Sequence, residues 1–165
     1  MNGDPRLYQI LRDLEIYFDY YEHPEAPTVE DAIKHWEGID STHCKNLFFR
    51  NHKGNRHYLV ILEHNNRLAI RDLEKMLKQG KLTLGSDRRL EKFMGLTAGS
   101  VSPFGLINDS DNHVHIFLDE KLKSAQKLSF HPNINTATLV IPYSDFMKFL
   151  DWSGNTYEFI TLAEK

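Results

Sequence analysis

Lys45 and Asn46 place a cation and an amide at the start of a predicted strand. The segment that contains them, Thr42 to Phe49, is otherwise largely apolar. A lysine whose stem is partly buried presents a single ammonium group to a phosphate or a carbonyl oxygen. This segment therefore has the residue types of a site for an anionic or ester substrate. An exposed lysine before a strand is an equally good interpretation of the same residues.

A glycine-rich stretch from Gly95 to Gly105 is the second segment whose residues could take part in substrate binding or catalysis. Small residues let the backbone approach a ligand closely, and successive N–H groups can form a concavity for an anion or an oxyanion. The centre of this stretch predicts such a loop, with a plain connection as the alternative: Gly99, Ser100, Val101, Ser102 and Pro103.

The third segment is Phe130 to Asn133, in which His131 closes a predicted strand and the following proline restricts its backbone. A lone histidine at this position is also compatible with a purely structural role. None of the three segments is specific by itself.

Other chemistries have less support in the sequence. The single cysteine, Cys44, excludes an internal disulfide framework and a Cys-pair zinc site, and packing is favoured over a nucleophilic role. His113 and His115 lie on one side of a predicted strand without a third ligand at suitable spacing, so no metal site is predicted. Phosphate-loop, dinucleotide, metalloprotease and nucleophile-elbow motifs are absent.

Length and composition predict a single soluble domain, residues 1–165, with 41% apolar residues and a net charge of −3. This charge argues against a protein that binds nucleic acid non-specifically through a large positive surface. It permits a protein that binds a short nucleic-acid end. No segment has the character of a membrane span or a signal peptide, so a cytoplasmic location is expected. Candidate phosphate contacts, with solvated surface charge as the equal alternative, are Arg50, Lys53, Arg56, Arg88 and Arg89.

Hydrophobic periodicity predicts an α+β fold with a mixed, mostly antiparallel sheet surrounded by helices. Helices are predicted to begin at Asp4, Thr28, Ile70, Ser86 and Ser144, and Gly80 is predicted to end the third. The helix from Thr28 is expected to bury Val29, Ala32, Ile33 and Trp36. Strands are predicted over 17–21, 47–49, 58–62, 81–84, 114–118, 127–131, 138–141 and 157–162.

Taken in order, the three segments resemble the bacterial prolyl-tRNA editing domain family, the YbaK-like and PrdX-like aminoacyl-tRNA deacylases. The similarity runs from about Leu7 to Leu150 and is densest at His43–Phe48, Gly95–Leu106, Phe130–Asn133 and Asn135–Thr138. The stand-alone length most resembles the free-standing PrdX branch. Ala98 stands where many members of the family have a proline.

The resemblance implies hydrolysis of the ester that joins a mischarged amino acid to tRNA, with no metal, no cofactor and no protein nucleophile. It implies catalytic roles for Lys45 at the phosphate or carbonyl of the aminoacylated adenosine, for Gly99 in the loop that positions ester and water, and for His131 in the amino-acid pocket. Residues expected to bind the substrate are Asn46, Ser100, Val101, Ser102 and Pro103, with Ile33 and Phe130 as walls of the pocket.

The resemblance to the PrdX branch implies that alanyl-tRNA(Pro) is the substrate. Physical reasoning agrees, because a synthetase site that accepts proline gains only about 1–3 kcal/mol of discrimination per missing methylene. Hydrolysis would use a positioned water and a hydroxyl of the terminal ribose. The alternatives are a cysteinyl-tRNA(Pro) deacylase and a non-catalytic module of the same fold that binds tRNA or a synthetase. Expected partners are the acceptor end of mischarged tRNA(Pro) and, as a further candidate, prolyl-tRNA synthetase, with neither membrane nor DNA.

Overall fold

Most helices begin at the capping residues that the sequence provides in the computed structural model, which describes residues 1–26 and 28–165. The side chains of Asp4, Thr28 and Ser86 each accept a hydrogen bond from a backbone N–H of the first turn. The helices are α1 (Pro5–Asp13), α2 (Val29–Trp36), α3 (Ile70–Leu77), α4 (Asp87–Met94) and α5 (Tyr143–Ser153).

Two predicted helix boundaries differ from the structure. Helix α5 begins at Tyr143 without a side-chain cap, so the prediction of Ser144 as its cap is wrong. Helix α3 ends before Gly80, because Lys78 adopts a left-handed conformation and its N–H bonds to the Glu74 carbonyl.

Each of the predicted strands is present, and all eight belong to one sheet. They are β1 (Asp19–Glu22), β2 (Thr42–Arg50), β3 (His57–Glu63), β4 (Thr83–Leu84), β5 (His115–Asp119), β6 (Lys127–Phe130), β7 (Ala137–Pro142) and β8 (Tyr157–Ile160). The order is β1-β7-β6-β2-β3-β5-β8, with β4 beside β2. The β1–β7, β7–β6, β2–β3 and β2–β4 pairs are antiparallel, whereas β6–β2, β3–β5 and β5–β8 are parallel. The predicted α+β fold with a mixed, mostly antiparallel sheet is confirmed.

The sheet opens between β2 and β6. These strands pair only at Thr42 and His43 of β2, and β6 then ends at Phe130. On the same edge of β2, β4 pairs only with Phe49 and Arg50. Among the described residues, the segment 44–47 therefore has β3 on one side and no strand on the other.

Hydrophobic clusters cover both faces of the sheet. Alternate side chains of β5 point to opposite faces: Ile116 and Leu118 pack in the cluster that includes residues of α1, α4 and α5, whereas Phe117 packs with Leu73 of α3. Helices α4 and α3 consequently lie on opposite faces of the sheet.

Candidate active site

A cavity of about 140 Å³ lies at the opening between β2 and β6. Residues 44–47 of β2 form one wall, and α2 with the residues before it forms another. The loop 98–101 and His131, which follows β6, complete the lining. The three segments singled out in the sequence thus meet at one place, although they are separated by up to about half the chain.

Lys45 brings a cation to this cavity. Among the described residues, no carboxylate forms a salt bridge with its ammonium group. Burial lowers the pKa of Lys45, and the positive charge of Arg67 lowers it further. The lysine therefore offers an ammonium group that an incoming anion or carbonyl oxygen can bind.

Asn46 contributes a polar atom without a partner. Its Oδ1 is buried and accepts no hydrogen bond from the described residues. Asn46 lines both the main cavity and an adjoining recess of about 10 Å³. A buried acceptor left unpaired costs about 1–3 kcal/mol, so a ligand that donates to it recovers that free energy.

The loop after α4 presents backbone to the cavity through Ala98, Gly99 and Val101. Ala98 to Ser100 form one turn of 3₁₀ helix, in which the Ser100 N–H donates to the Thr97 carbonyl at 3.0 Å. That amide is therefore occupied within the turn. Among the described residues, the amides of Ala98, Gly99 and Val101 donate no hydrogen bond outside the 3₁₀ turn, and Gly99 and Val101 flank Ser100 as candidate donors to a ligand.

His131 is held in one tautomer by the backbone. Its Nδ1 lies 2.9 Å from the Ala137 carbonyl oxygen. A carbonyl oxygen only accepts, so Nδ1 carries the proton and Nε2 of the neutral ring is an acceptor. Burial lowers the pKa of His131, against the opposing effect of the Ala137 hydrogen bond, and this favours the neutral ring.

Ile33 does not line the cavity, and its prediction as a wall residue is wrong. Its side chain is 45% exposed, whereas Ala32 and Trp36 of the same helix are buried and face the cavity. One residue along a helix turns the side chain by 100°, so the neighbour of an inward residue points away. Val29 lies in α2, and its side chain is outside the described part of the chain.

The remaining predicted binding residues lie around the cavity rather than in its lining. Phe130 is buried and lines the adjoining recess. Ser100, within the loop, and Ser102 and Pro103, which follow it, are buried and do not line the cavity. The Ser102 hydroxyl accepts from the Phe104 N–H at 3.1 Å and so caps the following 3₁₀ helix. These buried residues support the conformation of the loop without lining the cavity.

The Cys44 thiol is buried, and burial together with the negative charge of Glu63 raises its pKa. A thiol in this state is a poor nucleophile because only the thiolate reacts readily.

His113 and His115 have separate partners, since His113 Nε2 lies 2.8 Å from His57 Nδ1 and His115 Nδ1 lies 2.6 Å from the Thr156 hydroxyl. Within residues 1–26 and 28–165, no group of three metal-binding side chains is found.

Trp36 is a wall residue whose role the sequence did not reveal. Its ring stacks on His43, with ring centres 4.3 Å apart and parallel planes, and meets the edge of His64. These contacts attach α2 to β2. In the sequence, Trp36 is simply one more apolar residue at helical spacing, and no pattern indicates a partner on a strand.

Comparisons with known proteins are consistent with this geometry. Residues 23–149 match the model of the aminoacyl-tRNA editing domain family. The chain is 37% identical to the prolyl-tRNA editing protein ProX of Acetoanaerobium sticklandii over 153 residues, which cover 92% of this chain and 93% of that protein. It is 32% identical to prolyl-tRNA synthetase associated domain-containing protein 1 of Danio rerio, covering 91% of this chain and 82% of that protein.

A solved structure with the same fold is that of a protein provisionally assigned as a trans-editing enzyme for prolyl-tRNA synthetase. The TM-score is 0.73 with 19% sequence identity, and the match covers 99% of this chain and all of that chain.

None of the helices formed by residues 1–26 and 28–165 has the length and apolar character needed to cross a membrane.

Proposed function

This chain belongs to the aminoacyl-tRNA editing domain family, and from that premise we propose that it is a trans-editing deacylase that removes alanine from mischarged tRNA(Pro). The observation that carries the proposal is the meeting of Lys45, Asn46, the 98–101 loop and His131 at one cavity of about 140 Å³. The name of the ProX relative supports prolyl-tRNA as the tRNA class.

Lys45 binds the negatively charged end of the substrate in this proposal. Its ammonium group has no carboxylate partner among the described residues and lies at the cavity. A compact point charge suits either a phosphate oxygen of the terminal nucleotide or the ester carbonyl oxygen. Bound at the carbonyl, it also stabilises the negative charge that develops when water attacks.

The amides of Gly99 and Val101 are the proposed backbone donors to the ester. Backbone donors fixed before the reaction stabilise an oxyanion without reorganisation, and removal of one such donor typically costs about 10²–10³ in rate. The Ser102 cap and the buried Pro103 hold this loop in place.

His131 and Asn46 orient the amino acid. With Nδ1 bonded to the Ala137 carbonyl, Nε2 of His131 can accept a hydrogen bond from the α-ammonium group or from a ribose hydroxyl. The unpaired Oδ1 of Asn46 offers a second acceptor. Both contacts hold the ester carbon near the loop.

The reaction needs no covalent enzyme intermediate. The water oxygen bonds to the carbonyl carbon, and the bond from that carbon to the ribose oxygen then breaks. One proton of the water passes to the ribose oxygen with help from the neighbouring ribose hydroxyl. The other is released to solvent, so the amino acid leaves as the carboxylate. The raised pKa of the Cys44 thiol supports the absence of a cysteine nucleophile.

In this proposal the site admits alanine and excludes proline. Alanine carries one methyl group beyond its α-carbon, whereas the proline ring carries three methylenes. A small site excludes the larger residue sterically, which supplies the discrimination that the larger site of a synthetase lacks. Trp36 and Ala32 form the wall that sets this limit.

Hydrolysis of alanyl-, cysteinyl- and prolyl-tRNA(Pro) by the purified protein tests the proposal. We expect rapid release of alanine, with prolyl-tRNA(Pro) decaying at its spontaneous rate. Faster release of cysteine than of alanine would keep the reaction and overturn the substrate. Spontaneous rates for all three would overturn the enzymatic proposal and favour a module that only binds tRNA or a synthetase.

A further inference from the structure

We propose that a second site, on α4 and the β2–β3 hairpin, binds the phosphodiester backbone of the RNA whose end enters the candidate active site. Its identification with RNA rests on the proposed function. The site is a cavity of about 450 Å³, separate from the one at Lys45. The residues that line it are Gly54, Ser86, Arg88, Arg89, Lys92 and Phe93.

Arg89 is held in place by neutral groups. Its Nη1 lies 2.8 Å from the Gly54 carbonyl oxygen and 3.0 Å from His57 Nε2. A guanidinium only donates, so His57 Nε2 accepts and the proton of that ring lies on Nδ1. Nδ1 then donates to His113 Nε2 at 2.8 Å. This series of hydrogen bonds fixes the position of the Arg89 guanidinium group. The Nε and Nη2 atoms of Arg89 donate to no acceptor among the described residues.

The cations of this cavity are not neutralised by carboxylates. Among the described residues, Arg88, Arg89 and Lys92 take part in no salt bridge. The acidic residues of the same helix, Asp87 and Glu91, do not line the cavity. Three positive charges around one concave surface, in a chain whose net charge is −3, form a local site for an anion rather than a general basic surface.

Glycine at position 54 allows Arg89 to lie against the hairpin. Gly54 has a φ of +74°, and a Cβ built there would lie 2.8 Å from Nη2 of Arg89. The conformation therefore favours glycine, and a Cβ at this position would displace the guanidinium group of Arg89. The turn and the arginine are fitted to each other, which keeps the cationic group in a defined position before any ligand arrives.

An extended polyanion fits the position of this site better than a small phosphate compound does. Helix α4 runs from the cationic cavity into the loop that carries Gly99. Lys45 lies about 16 Å, at about 3.3 Å per residue, from the end of β2 at Arg50, where the chain enters the turn that carries Gly54. RNA that places its terminal ester at Lys45 carries further phosphates away from it, and arginine and lysine are the residues that contact such phosphates.

Binding of an uncharged tRNA(Pro) acceptor-stem minihelix, labelled with fluorescein and followed by anisotropy, tests the site without any ester chemistry. The variant is Arg88→Ala with Lys92→Ala, and the matched control is Arg71→Ala with Lys75→Ala. Both pairs are exposed and four residues apart on eight-residue helices, on opposite faces of the sheet.

We expect the Arg88/Lys92 variant to reduce the steepness of the decline of log affinity with log salt by about 1.4–1.8, since each phosphate contact contributes about 0.7–0.9. Between about 50 and about 200 mM salt, two contacts amount to about tenfold in affinity. The control keeps the slope of the parent. Equal slopes for parent and Arg88/Lys92 variant, or a loss confined to the control, would overturn the proposal. Competition by poly-glutamate as effective as that by RNA would also overturn it, in favour of an acidic protein partner.

The two proposals fail separately. A parent that binds the minihelix through Arg88 and Lys92 but hydrolyses no aminoacyl-tRNA retains this site and loses the proposed function. A parent that hydrolyses alanyl-tRNA(Pro), with a salt slope that is unaffected in the Arg88/Lys92 variant, retains the function and loses this site.

Discussion

Three consecutive residues of β2 have different environments because one edge of this strand is uncovered. Cys44 is buried, whereas Lys45 and Asn46 are only partly buried. Successive side chains of a strand point to opposite faces, yet all three line the same cavity. This is possible because no strand among the described residues covers segment 44–47 on the β6 side. The thiol is therefore packed, and the ammonium and amide groups remain available to a substrate.

Replacement of Cys44 by serine tests this assignment. We expect Cys44→Ser to retain most of the deacylation rate, since the thiol takes no part in the proposed chemistry. A buried hydroxyl costs about 1–3 kcal/mol without a good partner, so the urea midpoint falls. Cys44→Ala is the matched variant without a polar group. Loss of turnover in folded Cys44→Ser and Cys44→Ala proteins would show that the sulfur is required.

The sequence indicated which motif residues meet at the cavity better than it indicated which residues form the walls of the cavity. Lys45, Gly99 and His131 were singled out because their three segments, taken in order, resemble a known family, and all three line the cavity. Ile33 was misassigned and Trp36 was not recognised as a wall, because α2 has only eight residues. In such a short helix, four apolar residues within two turns do not define which side chain points to the centre of the buried face.

At the scale of the elements, the position of the 98–101 loop depends on how α4 ends. Gly95 caps α4 in the left-handed conformation, with its N–H bonded to the Glu91 carbonyl. The Asn108 amide donates to the Met94 carbonyl at 3.0 Å and so packs over the same cap. These two contacts set the direction in which the chain leaves the helix toward Gly99.

A comparison of two glycines separates backbone strain from this contact. Gly95 and Gly38 both have positive φ, but a Cβ at Gly95 would lie 2.7 Å from Asn108 Nδ2, whereas one at Gly38 has no atom within 4 Å. We expect Gly38→Ala to lower the free energy of unfolding by about 1 kcal/mol from strain alone. Gly95→Ala should lower it by about 2 kcal/mol, because the Asn108 hydrogen bond is also disturbed. Urea denaturation measures both, and equal losses would contradict the role of Asn108.

Strand positions were predictable from the sequence, whereas the opening in the sheet was not. Alternating and continuous apolar runs locate each strand locally. The cavity, however, depends on the parallel pairing of β2 with β6, which joins Thr42 to Leu128. It also depends on where that pairing stops. Local patterns contain no information about contacts between residues so far apart in the chain.

At the scale of the whole molecule, the buried His57 and the partly buried His43 link stability to pH. Burial, with neighbouring positive charges, lowers the pKa of His57 to about 4, and burial with His64 lowers that of His43 to about 4. Both rings take up protons near pH 6.5 in the unfolded chain. Between about pH 6.5 and about pH 4 the unfolded state therefore binds more protons than the folded state.

We expect the free energy of unfolding to fall as the pH is lowered from about 6.5 to about 4, and to lose little more from these groups below that. His57 alone steepens the dependence of the free energy of unfolding on pH by up to about 1.4 kcal/mol per pH unit. Urea midpoints across this range provide the measurement, and His57→Gln should show a shallower slope than the parent. A parent stability that is constant or rises as the pH falls would contradict this assignment.

The central claim is that Lys45 acts on the substrate at the opening of the sheet. Single-turnover deacylation of alanyl-tRNA(Pro) tests it most directly, with Lys45→Ala compared with Lys75→Ala on the exposed face of α3 and with circular dichroism as a check of folding. We expect Lys45→Ala to lose about a hundredfold or more in rate, as for removal of a group that stabilises an oxyanion, while Lys75→Ala keeps the parent rate. A folded Lys45→Ala protein with the parent rate would contradict the claim.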